Sequence, residues 1–417
     1  MTTKQLSIKT NVLWNSIGSL TYLGCQWLIT VFVVRLSSGY DDAGLLSLAM
    51  AVVSFFNTLA NYKMGTYQVS DIDHENTLGE YLGFRCLMLG ISFVLCVVYS
   101  LISCPLYAVI TIALYYFFMA VGLVIDVLHG TDQQNRRMDY IGISFIIRGF
   151  LILGAFLFTY GISTSLNLAI ISMTLASVLV LLLYDIPRTA QFEKVYFFIT
   201  RQKFWFFLKN SFPVVVASLA SSAVFTIPKQ YLVMTLGESA LGIYSSVAAL
   251  ALIVQMSATY LYVPLLDLLP RLFFKESVSN FSRLLLRTTA LIIGATAIIA
   301  IILIFLGMPL LSFLFGESIV PYVYLLQPVL LSTATTAFLW FYGDTLIALR
   351  DFKTYFIGNF VAFVMVIPAS VVCVNYWGMN GVSFAIAIAC ACGIVVLIYG
   401  IVCKIKQQRK NMKIKYE

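Results

Sequence analysis

A chain of 417 residues in which 61% are hydrophobic and only 11% charged cannot make a water-soluble surface, since an ordinary soluble domain carries about 25% charged residues. The formal charge of +8 does not point to nucleic acid, because the basic residues stand between apolar runs instead of clustering on a polar domain. At about 20 apolar residues per bilayer crossing, the chain has room for about a dozen spans, which makes it an all-α polytopic membrane protein.

Taken in chain order, windows of about 19 residues place spans near 12–35, 43–63, 81–103, 105–128, 141–161, 165–185, 211–235, 241–268, 284–306, 320–347, 354–376 and 381–403. The long apolar stretch 81–128 divides at Ser103-Cys104-Pro105, and 141–185 divides at Tyr160-Gly161-Ile162-Ser163, where turn residues interrupt the run. The first run is too long for the apolar part of a signal peptide and is retained as a span. The eight cysteines lie inside or at the ends of apolar runs without metal-type spacing, and read as small buried apolar side chains.

Orientation follows from Lys and Arg, which are retained on the cytoplasmic side. With the N-terminus inside, the even-numbered loops hold Lys63, Arg136, Arg137, Arg188, Lys194, Arg201, Lys203 and Lys209, then Arg271, Lys275, Arg283, Arg350 and Lys353. The opposite loops 39–42, 237–240, 308–317 and 377–380 hold neither Lys nor Arg, the first three hold acids, and only Arg35 lies near that face. About twelve spans with both termini cytoplasmic are therefore expected. The basic segment 187–210 divides the chain into an N-terminal six-helix lobe (1–186) and a C-terminal six-helix lobe (211–403), followed by a basic tail (404–417). A weak repeat supports the division: Arg35-Leu-Ser-Ser-Gly-Tyr-Asp-Asp-Ala-Gly44-Leu-Leu-Ser-Leu-Ala resembles Met234-Thr-Leu-Gly-Glu-Ser-Ala-Leu-Gly242-Ile-Tyr-Ser-Ser-Val-Ala. Halves of six spans keep one orientation, as in transporters whose lobes are related by an axis along the membrane normal.

Without a Gly-Lys dipeptide there is no Walker A loop, and neither HExxH nor GxSxG occurs, so no catalytic constellation is legible. His74 and His129 read as interfacial polar residues. The informative residues are charges inside spans, each costing about 2.5–3.5 kcal/mol on the insertion scale and therefore facing water or a partner. Arg148 lies seven residues into its span, about 10 Å deep; Lys229 follows Pro228, a residue that removes a helix hydrogen bond, toward the far end of span seven. With Arg35, Lys63 and Arg85 they are the candidates for a cationic cavity, since cations at successive depths would hold a lipid diphosphate while it is desolvated. Asn15, Gln26, Asn57, Gln230, Gln255 and Gln327 are candidates to contact sugar hydroxyls. Asp126, Asp344 and Asp267 are candidates for H+ or Na+ coupling; each also reads simply as a helix-end acid with a basic neighbour. No cofactor or metal is expected.

Several patterns resemble the polysaccharide exporters of the multidrug/oligosaccharidyl-lipid/polysaccharide (MOP) superfamily, which include the O-antigen and capsule repeat-unit flippases. They are Val-Val-Arg35-Leu with Ala43-Gly44-Leu-Leu-Ser-Leu-Ala; Ser211-Phe-Pro213 followed by Leu236-Gly237-Glu238-Ser-Ala-Leu-Gly242-Ile-Tyr244-Ser; Phe313-Leu-Phe-Gly316-Glu317; Ala348-Leu-Arg350-Asp-Phe; and Tyr376-Trp-Gly378-Met-Asn-Gly381-Val-Ser-Phe-Ala. One departure is that Pro228-Lys229 stands where family members often carry an acidic-basic pair. The resemblance implies a V-shaped, two-lobe MATE-like fold in a bacterial cytoplasmic membrane. It also implies export of undecaprenyl-diphosphate-linked oligosaccharide by alternating access without ATP, in company with membrane lipids, a polysaccharide polymerase and chain-length machinery. Two other readings are a MATE-type multidrug or cation antiporter and, in another class, a membrane polysaccharide polymerase or ligase, against which the short outward loops speak.

Overall fold

A backbone in hydrocarbon must satisfy its own N–H and C=O groups, which restricts these apolar runs to helices. The computed structural model describes residues 6–71, 75–262 and 268–416, and among them there is no strand. The helices are α1 (Ile8–Leu36), α2 (Asp41–Asn61), α3 (Met64–Ser70), α4 (Leu78–Ser103), α5 (Leu106–Gln134), α6 (Met138–Ser163), α7 (Leu166–Val180) and α8 (Ile186–Thr189). After them come α9 (Arg201–Tyr262), α10 (Leu268–Arg271), α11 (Val278–Phe315), α12 (Leu326–Ala348), α13 (Phe352–Trp377) and α14 (Met379–Tyr416). A π-helical turn, Leu181–Asp185, joins α7 to α8. Eleven helical stretches of the described residues are long and apolar enough to cross a membrane. Their outward side chains are bare hydrocarbon, such as Phe158, Phe305 and Phe313, each more than two thirds exposed, as a lipid-facing surface requires.

One of the eleven, 215–251, is two helices. Gly237 breaks α9 with φ 82°, a conformation that glycine adopts at no steric cost. The chain reverses there. α13 and α14 form an antiparallel hairpin about Gly378, with Gly381 against Cys373, Gly358 against Leu397 and Gly400 against Thr354. Tyr231, six residues before Gly237, hydrogen-bonds Asn375, while Tyr244, seven residues after it, hydrogen-bonds Ser383. Both contacts lie close to the Gly378 turn, so both arms of α9 leave from the same end. The break thus makes twelve crossings from eleven helices, as the apolar runs lead one to expect.

The turns follow from local chemistry. Thr77 and Glu80 close a reciprocal capping box that starts α4. Pro105 divides α4 from α5, since it lacks the N–H a continuing helix needs. Thr164, with φ 51°, ends α6.

The chain divides into two compact units, Met1–Leu219 and Ala220–Glu417. Within the first, segment 190–219 is not a free tether. Glu193 accepts from the Leu78 N–H (2.8 Å), the Phe198 N–H donates to the Gly79 carbonyl (3.2 Å), and Tyr62 donates to the Leu208 carbonyl (3.0 Å). Phe207 and Val215 are buried in one apolar cluster with Tyr81, Phe84 and Leu128. In the second unit the α13–α14 contact is built from small residues, the usual means of close approach where lipid supplies no hydrophobic drive. Cys25, Cys96, Cys373 and Cys390 are buried as expected; Cys86 and Cys403 are exposed, and all eight are free thiols.

Helices α1 and α6 pack at near backbone contact. Gly18 meets Gly142 so closely that an added Cβ would stand 2.5 Å from the Gly142 Cα, and Gly142 lies against the Trp14 carbonyl. Gly154, on the same helix as Gly142, has nothing within 4 Å of its Cβ position. Gly142→Ala is expected to lower the thermal stability of the purified protein by about 1–3 kcal/mol through overpacking. Gly154→Ala should stay within about 0.5 kcal/mol, as a side chain that touches no neighbour does. Equal melting curves would contradict the close-packed interface.

Candidate functional site

Several polar residues of the first unit gather at one end. α2 finishes at Asn61, and two consecutive residues in the left-handed region, Tyr62 (φ 50°) and Lys63 (φ 56°), turn the chain sharply into α3. Tyr62 is buried and anchored on Leu208, so the turn presents Lys63 outward. α3 then crosses α5: Gly65 comes so close that an added Cβ would lie 3.2 Å from an Asp126 carboxylate oxygen, and Gln68 donates to the Val127 carbonyl (3.0 Å) and to Thr131 (3.1 Å). The enclosed space is a cavity of about 640 Å³. Asn15 of α1, Asn61 and Lys63 of the turn, Asp126, His129 and Gln133 of α5, and Phe145 of α6 line it, all within the first unit.

Behind this wall sits Arg85 of α4, wholly buried. Its guanidinium donates to Asp126 (3.2 Å), to the Asn61 side-chain oxygen (2.7 Å) and to the Ala60 carbonyl (3.4 Å). Asp126 itself keeps 48% of its side chain exposed and faces the cavity. The expectation that Arg85 would line a cationic cavity is therefore corrected: it supports the wall through two residues that do line it.

Deeper in the helices an aromatic chain leads away from the cavity. Phe145 meets the His129 ring edge-on (centroids 5.2 Å apart) and packs against Tyr22 (5.4 Å). Arg148, one turn beyond Phe145, donates to the Tyr22 hydroxyl (2.5 Å) with its guanidinium over the Tyr22 ring at 4.6 Å. Gln26 donates to the same hydroxyl (2.8 Å). Gly122 of α5 makes room for the guanidinium, since a Cβ there would lie 2.7 Å from Arg148 Nη2. α6 begins at Met138, so Arg148 sits about 15 Å along it, inside the apolar run. It is buried, its Nε has no partner, and it forms no ion pair among the described residues.

Next to the cavity, Asp71 and the start of α4 are fastened to each other. Asp71 accepts from Tyr81 (2.8 Å), from the Asn76 side chain (2.9 Å) and from the Glu75 and Asn76 backbone N–H groups (3.0 and 3.1 Å). Burial alone would raise its carboxyl; these hydrogen bonds outweigh it and hold the group below the usual carboxylate range. Lys203 adds to this by donating to Asn76 (2.5 Å).

The structure thus brings Lys63, Asp126 and, behind them, Arg85 to one place, with Arg148 deeper in the same unit. Lys229 of α9 and Asp344 of α12 are half-buried in the second unit, and Lys229 forms no ion pair among the described residues. Arg35 is exposed at the far end of α1. Asp267 and the Gln255 side chain lie outside the described residues, as does His74. Among the described residues no three His, Cys, Asp or Glu side chains are arranged to hold a metal. His129, read from sequence as an interfacial polar residue, lines the cavity, and Tyr22, not singled out in the sequence, partners Arg148. For His129 a signal existed, since it stands three positions after Asp126 on the same helical face; the Tyr22–Arg148 pair spans 126 positions and carries none.

Comparison with known proteins decides the family. The model of the polysaccharide biosynthesis protein family matches residues 8–266, more than half of the chain. The chain belongs to that family. It is similar to the capsular polysaccharide biosynthesis protein CapF of Staphylococcus aureus, 24% identical over 296 residues that cover 70% of this chain and 74% of CapF. Among solved structures it resembles the lipid II flippase MurJ, with a TM-score of 0.70 and 14% identity over 97% of this chain and 91% of that one. A multidrug resistance MATE family transporter of the MOP superfamily is as similar in fold, with a TM-score of 0.70 and 14% identity over 96% and 99% of the two chains. The all-α architecture is thus the fold shared by these two solved structures.

The Arg85–Asp126 pair is asymmetric. Removing Asp126 leaves a fully buried guanidinium with neutral partners only, a change that costs about 3–5 kcal/mol in buried pairs and here falls toward the lower figure because Asp126 is half in water. Removing Arg85 leaves a carboxylate that already meets the cavity. Asp126→Ala is therefore expected to lower the melting temperature in detergent clearly more than Arg85→Met does, and the double variant should recover part of the loss. The reverse order would show that the pair does not support the cavity wall.

Proposed function

We propose that this protein is a flippase that carries undecaprenyl-diphosphate-linked oligosaccharide repeat units from the cytoplasmic to the outer leaflet of the cell membrane, by alternating access and without ATP hydrolysis. The observation that carries the reading is the cavity of the first unit. It is about 640 Å³, room for a diphosphate and its first sugars, and it offers Lys63 together with the amides of Asn15, Asn61 and Gln133. A diphosphate cannot enter hydrocarbon unless its charge is answered, and charge-assisted hydrogen bonds from Lys and Arg do so most strongly. Amides and hydroxyls are the usual partners of sugar hydroxyls.

Lys63 meets the headgroup at the cavity, and Arg148, partnered among the described residues by the neutral Tyr22, receives it deeper along α6. Lys229 supplies a third cation in the second unit. The cavity lies at the end of the unit that bears Lys63, Arg136, Arg137 and Arg188, which the positive-inside rule assigns to the cytoplasm, the side on which lipid-linked repeat units are assembled. Membership of the polysaccharide biosynthesis family and the names of the relatives, a capsule biosynthesis protein and a lipid II flippase, support this substrate class over the drugs handled by MATE transporters.

The test is depletion of the protein in its host, with the lipid-linked glycan probed in intact and lysed spheroplasts. The glycan is expected to accumulate protected in intact spheroplasts and to become reactive on lysis. Accumulation on the outer face would replace the flippase with a polymerase or ligase. In the same assay Lys63→Ala and Arg148→Ala, each removing charge-assisted contacts of about 1.5–3 kcal/mol, are expected to slow translocation at least about tenfold. Native rates in both variants would remove the cationic path from the mechanism.

A further inference from the structure

We infer that His129, Asp132 and Asp185 form a proton-holding site that exchanges with the cavity through His129. The inference rests on the transporter reading above, and it concerns residues distinct from the carboxylates expected to couple ions.

Three residues from two elements meet behind the cavity wall. His129 Nε2 lies 3.1 Å from Asp185 Oδ1, and Thr189 donates to Asp132 Oδ1 at 3.2 Å. Asp132 follows His129 by three positions, on the same face of α5. Asp185 ends the π-helical turn after α7, a local widening of the helix of a kind frequent at functional sites. Both carboxylates are almost wholly buried, at 0% and 1% exposure. Each has one oxygen that meets a protein donor and a second that is buried without any: Asp132 Oδ2 and Asp185 Oδ2. A buried carboxylate oxygen with no protein donor calls for a proton, a cation or a water, and a water alone leaves the charge in place. The absence of a three-residue metal cluster among the described residues favours the proton.

Among the described residues no Lys or Arg pairs with Asp132 or Asp185 in the proton's place. Arg137, in the α5–α6 turn, is held by both oxygens of Asp139 (2.8 and 2.9 Å) and lies over Tyr140. Arg188 of α8 stacks on Tyr140 at 5.3 Å and on Tyr184 at 5.6 Å. Asp139 of α6 and Tyr184 of the π turn are the other titratable groups near the cluster, and the uncharged Thr189 of α8 bonds it directly. Fully deprotonated, His129, Asp132 and Asp185 would place two negative charges out of water, whereas each bound proton removes one of them. His129 lines the cavity, so a proton from cavity water can bind its ring, be shared with Asp185 across the 3.1 Å contact, and return by the same route. Substrate in the cavity would then close that exit, which links proton release to cavity occupancy.

Infrared difference spectroscopy of the full chain in phosphatidylcholine vesicles, titrated through neutral pH, reads the site without any substrate. The native protein should show the C=O stretch of a protonated carboxylic acid, weakened in Asp132→Asn and in Asp185→Asn and lost from the double variant, but retained in Asp126→Asn. His129→Gln, which leaves both carboxylates in place, should shift the titration of that band. A band unchanged in the double variant, or one lost with Asp126→Asn, would overturn the inference. If the asparagine variants fail to fold, an unshifted titration in His129→Gln overturns it equally. Absence of glycan translocation by the native chain would sink the flippase reading instead and leave the infrared result standing.

Discussion

A guanidinium sealed from water has to be answered by its surroundings, and around Arg85 that requirement organises a large part of the first unit. Its hydrogen bonds fix the last turn of α2 through Asn61 and Ala60 and fix α5 through Asp126. Because α2 and α5 are held at that spot, the left-handed turn at Tyr62 and Lys63 has one direction to follow, and α3 is laid across α5 where Gly65 permits contact. The cavity is the space left between these clamped ends and the close-packed α1–α6 pair. Polar bonds of this kind contribute only modestly each inside a membrane. Their importance lies in direction, since apolar contacts alone do not distinguish one rotation of a helix from another in lipid.

The two units hold their helices together by different means. In the second, glycine and small side chains let α13 and α14 touch along their length, and the contact is dispersion and shape. In the first, glycine contact at Gly18 and Gly142 is combined with buried charges and amides concentrated at one end. That concentration leaves Arg148 and Tyr22 as a polar outpost deeper in the helices, joined to the cavity through Phe145.

The apolar runs were enough to place nearly every crossing, because a bilayer allows little besides helices of a set length. The divisions at Pro105 and near Ser163 were legible for the same reason: proline and turn residues interrupt a run that lipid would otherwise extend. Which face each helix turns to its neighbours was not legible. Lipid is as apolar as the protein interior, so the lipid-facing and buried sides of α4 look alike in sequence, and Arg85 read as a cavity cation when it lies behind the wall. Pairings across long separations, Tyr22 with Arg148 or His129 with Asp185, depend on how the helices are rotated and could not be read. The short helix α3 was hidden too, since its seven residues are neither apolar nor long enough to resemble a crossing.

The docking of residues 190–219 bears on how the gene can be divided. A composition-based cut at residue 186 treats the basic segment as a hinge that belongs to neither half. Yet Phe207 and Val215 fill the same cluster as Tyr81 and Leu128, and Glu193 holds the start of α4. A fragment ending at 186 would lack part of its own interior, and one beginning at 187 would carry exposed aromatic side chains with nothing to cover them. Co-expression of complementary halves, or insertion of a fluorescent reporter, would need its junction elsewhere, and the reversal at Gly237, a surface turn between two helices, is a better place for it.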